Sequence, residues 1–130
     1  MNTIKETPKM DRKVLLSTLW IFAMFNYIYA DILSFFEPGN LEAIMTGSIG
    51  GLQISQGFLL GAAVLMETAT AMVLLSRILK YRANRWANII VGIIHSAAVL
   101  ASMFVGAPAP YYTFQIIIEV VCTLFIVWFA

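Results

Sequence analysis

Apolar residues fall in four long runs along this chain, separated by stretches rich in glycine, proline and charge. The runs span about Val14–Phe36, Ile54–Leu79, Trp86–Val105 and Tyr111–Ala130. About 20 apolar residues in a row reach across the ~30 Å hydrocarbon layer of a bilayer at ~1.5 Å per helical residue. Helix is the form such runs must take, because lipid offers no partner for a free backbone amide. The pattern therefore predicts an all-α polytopic membrane protein: one domain over residues 1–130, folded as a four-helix transmembrane bundle. Residues Met1–Arg12 are polar and read as frayed.

The breaks between runs carry their own signals. Glu37-Pro38-Gly39 ends the first, since proline disfavours helix at the residue before it. The stretch from Asn40 to Gln56 is only moderately apolar. Asn40 is placed to cap a short interfacial helix over about 41–46, with Leu41, Ile44 and Met45 on the membrane surface, and an ordered loop is the alternative. A basic turn, Lys80–Arg85, separates the second and third runs, and Gly106-Ala107-Pro108-Ala109-Pro110 separates the third from the fourth. The first run is too long for a cleaved signal peptide and lacks a small-x-small site near Ala30, so it should remain in the mature chain.

Composition agrees with the pattern. Of 130 residues, 61% are hydrophobic and 12% charged, with mean hydropathy +0.86, far from the averages of soluble domains. The net charge of +1 conceals an asymmetry: every Lys and Arg lies in one of two clusters, Lys5, Lys9, Arg12 and Lys13, or Arg77, Lys80, Arg82 and Arg85. With alternating spans both clusters fall on one side, and the positive-inside rule makes that side, and both termini, cytoplasmic. Topology accounts for the clusters fully, which argues against nucleic acid as a partner; a lipid phosphate is a second use for Arg77, Arg82 and Arg85. The single Cys122 permits no internal disulfide.

Apart from Arg77 at the basic end of the second, each span carries one acidic residue or histidine: Asp31, Glu67, His95 and Glu119 in order. Charge at bilayer depth is costly, so such groups are expected to converge on the bundle interior. Helical spacing adds Tyr27 one turn from Asp31, Thr70 beside Glu67, Asn88, Gly92 and Ser102 around the His95 face, and Gln115 one turn from Glu119. The expected result is a polar pocket lined by Tyr27, Asp31, Glu67, His95, Gln115 and Glu119, opening on the side away from the basic clusters. The bland alternative is helix glue, polar pairs that only hold spans together.

Other chemistry fares worse. No Glu-x-x-His pair is present and there is only one histidine, so no metal is expected; the same count and the lack of a Cys-x-x-Cys-His motif argue against haem. No cofactor is expected. Ser96 and Ser102 share a helix with His95, which disfavours a nucleophilic triad. Gly57 and Gly61 form a Gly-x-x-x-Gly step that serves either packing inside the bundle or homodimerisation.

The stretches NYIYADILSFFEPG (Asn26–Gly39) and METATAMVLLSRILKYRANRWANI (Met66–Ile89), with their spacing, resemble a family of small bacterial four-helix integral membrane proteins of unknown function, over nearly the whole chain. The resemblance implies four spans and the bacterial cytoplasmic membrane, and carries no activity. Similarity of plan extends more loosely to DoxX-like proteins and to the sterol-isomerase and sigma-2-type four-helix folds. Three functions are open on the residues: a module binding a small amphipathic or cationic ligand among membrane lipids; an acid/base enzyme with Glu67 and His95 as its pair, isomerising a lipid-like substrate; or an accessory subunit of a membrane complex.

Overall fold

A computed structural model describes residues 10–106 and 109–130. The expected fraying of the N-terminus, the positions of Lys5 and Lys9, and residues 107–108 of the last loop lie outside the described residues. Four long helices form the molecule: α1 (Arg12–Phe35), α3 (Gln56–Ile78), α4 (Tyr81–Ser102) and α5 (Pro110–Phe129), each long and apolar enough to cross a membrane. Between α1 and α3 lie a short helix, α2 (Asn40–Met45), and a two-residue hairpin in which β1 (Ser48–Ile49) pairs antiparallel with β2 (Leu52–Gln53).

The long helices pack in a ring, α1 on α3, α3 on α4, α4 on α5 and α5 on α1, with the α3–α4 contact the thinnest. The long helices alternate in direction along the chain, so each is antiparallel to both of its neighbours in the ring. One end of the bundle gathers Arg12, Lys13, Arg77, Lys80, Arg82 and Arg85; the other carries Asp31, Glu37 and Glu42. These are called the basic and acidic ends. At the basic end Arg12 Nη1 donates to Tyr81 Oη across 3.4 Å, joining the starts of α1 and α4. At the acidic end Tyr111 Oη donates to Glu37 Oε2 at 2.9 Å, tying the start of α5 to the exit of α1.

Local chemistry sets the helix ends. Asp11 caps α1 by accepting from the Lys13 amide, and Ser55 caps α3 by accepting from the Phe58 amide, which satisfies amides that the first turn leaves free. Helix α2 forms where expected, but Gly39, at φ 80°, takes the cap position. Asn40 instead turns its amide back to the Ser34 carbonyl at 2.8 Å. The hairpin escapes the hydrophobic pattern because two residues per strand are too few to show an alternation. Its turn residue Gly50 presses on Val105: a Cβ there would stand 2.7 Å from Val105 Cγ1, at a φ of +54° that favours glycine in any case.

The largest boundary difference is at α4, which begins at Tyr81 and not at Trp86. Hydrophobicity marks where a helix enters lipid, not where it starts to wind. Tyr81–Arg85 suits helix, and buried Asn84 holds the turn closed by donating from Nδ2 to the Ser76 carbonyl at 2.8 Å. The turn shrinks to Leu79–Lys80, and Arg82 and Arg85 ride on the helix. Helix α4 also stops at Ser102, three residues before the expected end at Val105.

Candidate functional site

The interior contains polar groups in two regions. In the basic half, Asn88 is fully buried and bonded on both sides of its amide. Its Oδ1 accepts from Trp20 Nε1 at 2.8 Å and Ser76 Oγ at 3.2 Å, and its Nδ2 donates to Asn84 O at 2.9 Å and Asn84 Oδ1 at 2.6 Å. Ser17, also fully buried, donates to the Val73 carbonyl at 2.7 Å and accepts from Arg77 Nε at 3.2 Å. This network joins α1, α3 and α4, and its polar atoms answer one another.

In the acidic half the arrangement differs. His95, 1% exposed, lies between two aromatic rings: Tyr27 stacks on it at 5.6 Å between centroids, and Trp20 meets it edge-on at 5.4 Å. Its Nε2 is bonded to Thr68 Oγ1 at 2.9 Å, and the Thr68 hydroxyl also reaches the Leu65 carbonyl at 2.6 Å. Across the interior α5 presents Gln115 and Glu119, one helical turn apart. Three oxygens here are buried without a partner among the described residues: Tyr27 Oη, Gln115 Oε1 and Glu119 Oε1. Tyr27 is 8% exposed and Glu119 5% exposed. Glu119 lies within electrostatic range of both Tyr27 and Asp31. Buried polar groups left unbonded are costly, and a native structure rarely groups three of them without a use.

The sequence-derived residue set is thus divided. Tyr27 stacks on His95, Gln115 and Glu119 lie one turn apart on α5 and are partly or fully buried, and Asp31 is exposed near the acidic end of α1. Glu67 does not join them. It is exposed on the outer face of α3, and the neighbouring Thr68 takes the place beside His95 that Glu67 was expected to hold. The physical reason is angular: adjacent helical residues diverge by about 100°, and α3 turns Ala69, Met72 and Ser76 inward, leaving Glu67 on the opposite side. The Glu67–His95 pair that an acid/base mechanism needs is therefore not assembled. A carboxyl on a lipid-facing surface at mid-span costs about 2.5–3.5 kcal/mol even on the gentler insertion scale.

Glycine placement removes one of the two uses left open for the Gly57–Gly61 step. Gly61 has no atom within 4 Å of where its Cβ would stand and Gly57 only its neighbour Ser55 Oγ at 3.8 Å, so neither packs inside the bundle. Gly92 is the glycine that brings two spans together; a Cβ there would lie 2.7 Å from Val127 Cγ2 on α5. Among the described residues no three His, Cys, Asp or Glu side chains gather as a metal centre requires. Thr68, Trp20 and the Ser17–Ser76–Asn84 set were missed in the sequence. Only the small residues Ala69 and Ser76 hinted at which face of α3 turns inward.

Fold and site together define a small four-helix membrane protein with a buried, partly unpartnered polar cluster. The chain belongs to the family of unknown function DUF6326, whose sequence model matches residues 4–130. No curated protein and no solved structure matches it.

Proposed function

We propose that this protein is a membrane-embedded binding module whose acidic-half cluster of Tyr27, Asp31, His95, Gln115 and Glu119 holds the head of a small amphipathic molecule. The supporting observation is the three unpartnered oxygens of Tyr27, Gln115 and Glu119. Two of them are plain acceptors and the third belongs to a hydroxyl, so a head rich in donors, an ammonium or a hydroxyl, complements the set. Asp31 at the rim adds a second carboxyl and favours a cationic head.

The protein acts in the bacterial cytoplasmic membrane with its basic end and both termini inside. The cluster then lies toward the outer side. Neighbouring lipids and quinones are reachable ligands as well as soluble amines.

The test is a thermal-stability screen of the purified chain in lipid nanodiscs against amines, quinones and lipids, run in parallel on Glu119→Gln. A ligand at about 100 times its Kd stabilises the folded state by about 2.7 kcal/mol. At least one amine- or hydroxyl-bearing amphiphile should stabilise the wild type and lose most of that effect in the variant. A screen in which no compound separates the two proteins would sink the reading.

A further inference from the structure

The outer face of α3 carries a pattern of its own. Gly57, Leu60, Val64, Glu67, Ala71, Leu74 and Ile78 follow one another at intervals of three, four, three, four, three and four residues. That alternation is the 3.5-residue repeat of a coiled-coil seam, in which such positions enter the holes of a facing helix. The bundle uses little of this seam, covering only Ala71 in part. Leu60, Val64, Leu74 and Ile78 are each more than half exposed, while the buried residues Ala69, Met72 and Ser76 lie on the other side of the helix. Helix α3 is also the least covered of the four, with 11% of its span buried against 22–33% in the others. Glu67 stands at the midpoint of the seam, with residues 56–66 on one side of it and 68–78 on the other.

We propose that α3 pairs in parallel with α3 of a second copy along this seam, with the two Glu67 carboxyls facing each other at the bilayer centre. The occupant follows from depth. Copies inserted in the same direction, related by a two-fold axis along the membrane normal, bring each seam residue against itself. A partner for Glu67 must offer a polar group at mid-span, and a second copy does so by construction. Facing carboxyls can hydrogen-bond to each other, where lipid offers neither a partner. One polar residue in an otherwise apolar seam also fixes register, because any slip leaves both carboxyls in hydrocarbon. Gly57 extends the seam and Gly61 flanks it, so the backbones can approach near the acidic end. This keeps a homodimer but centres it on Glu67 rather than on the two glycines, and it does not depend on the ligand reading.

The experiment is oxidative cross-linking of the full chain in native membranes, in a Cys122→Ser background. Leu60→Cys and Leu74→Cys test the seam; Leu59→Cys and Ala62→Cys are exposed positions off it. Seam cysteines should give disulfide-linked dimer at least about fivefold more readily than off-seam ones, as the directional repeat requires. On dilution into lipid, Glu67→Leu should weaken dimerisation by about tenfold, the scale of one interhelical polar contact in a membrane. Glu67→Gln, whose amides can pair with each other, should retain most of it. Equal cross-linking on and off the seam, a monomer at every protein-to-lipid ratio, or seam cysteines linked to a different protein would each overturn the proposal.

Discussion

Asn88 in the basic half of the bundle makes four hydrogen bonds, two as acceptor and two as donor, whereas in the acidic half Tyr27, Gln115 and Glu119 each leave a buried oxygen without a partner among the described residues. Both regions are made of polar side chains in the interior of the same four helices. Their difference separates polar groups that hold a membrane protein together from polar groups held ready for something else. Satisfied networks specify and rigidify a core, while an unmatched buried polar atom incurs its desolvation cost with no return. On this comparison the basic half fastens the bundle and the acidic half is where the proposed site lies, and the contrast can be broken by measuring what each polar group contributes to stability.

Asn88→Leu should show the largest effect. The substitution removes the acceptor of Trp20 Nε1 and Ser76 Oγ and the donor to Asn84, leaving three buried partners unanswered. Each abandoned group costs about 1–3 kcal/mol in soluble proteins and averages nearer 0.6 in membranes, so a loss of about 2–4 kcal/mol is expected. Reversible unfolding in a mixed-micelle titration measures it. A loss below about 0.5 kcal/mol, the scale of an ordinary surface change, would mean that the network does not fasten the bundle.

How much of this contrast was legible beforehand depends on the helix. The four spans and their order follow from run length alone, because only helices cross lipid and few residues can interrupt them. On α4 and α5 the inward face could be read: polar residues recur at three and four residue steps, and Asn88, His95, Gln115 and Glu119 turn inward or partly inward, whereas on α1 the same spacing holds for buried Tyr27 and not for exposed Asp31. Helix α3 could not be read in the same way. It is apolar on every side, so the one carboxylate looked like the marker of an interior face, when the small residues Ala69 and Ser76 were the better guide. Spacing within one helix also says nothing about which neighbour a group meets. That Asn88 finds Trp20, and that His95 finds Thr68, depends on how the helices are rotated against each other.

Thr68→Val tests the boundary between the two regions. Thr68 is the hydrogen-bonding partner of His95, at 2.9 Å, and the shape-matched valine removes only the hydroxyl. A loss of about 1 kcal/mol is expected, the usual worth of one such bond. The His95 ring remains clamped between Trp20 and Tyr27, so it should keep its place. Unfolding measurements give the energy, and the imidazole NMR signals report the ring's surroundings. A loss comparable to that of Asn88→Leu would extend the fastening network into the acidic half and weaken the division.

Tyr27→Phe is expected to have the smallest effect and is the sharpest test. The hydroxyl it removes is buried with no partner among the described residues, and the ring that stacks on His95 is preserved. Removing an unanswered polar atom should leave stability within about 0.5 kcal/mol or raise it slightly, since the desolvation cost disappears with the atom. Ligand-dependent stabilisation, by contrast, should fall, because the hydroxyl is one of the three groups offered to the ligand's head. Stability without ligand and stabilisation with it are thus expected to move independently. If Tyr27→Phe unfolds as readily as Asn88→Leu, the hydroxyl has a structural partner, and the acidic half fastens the bundle in the same way as the basic half.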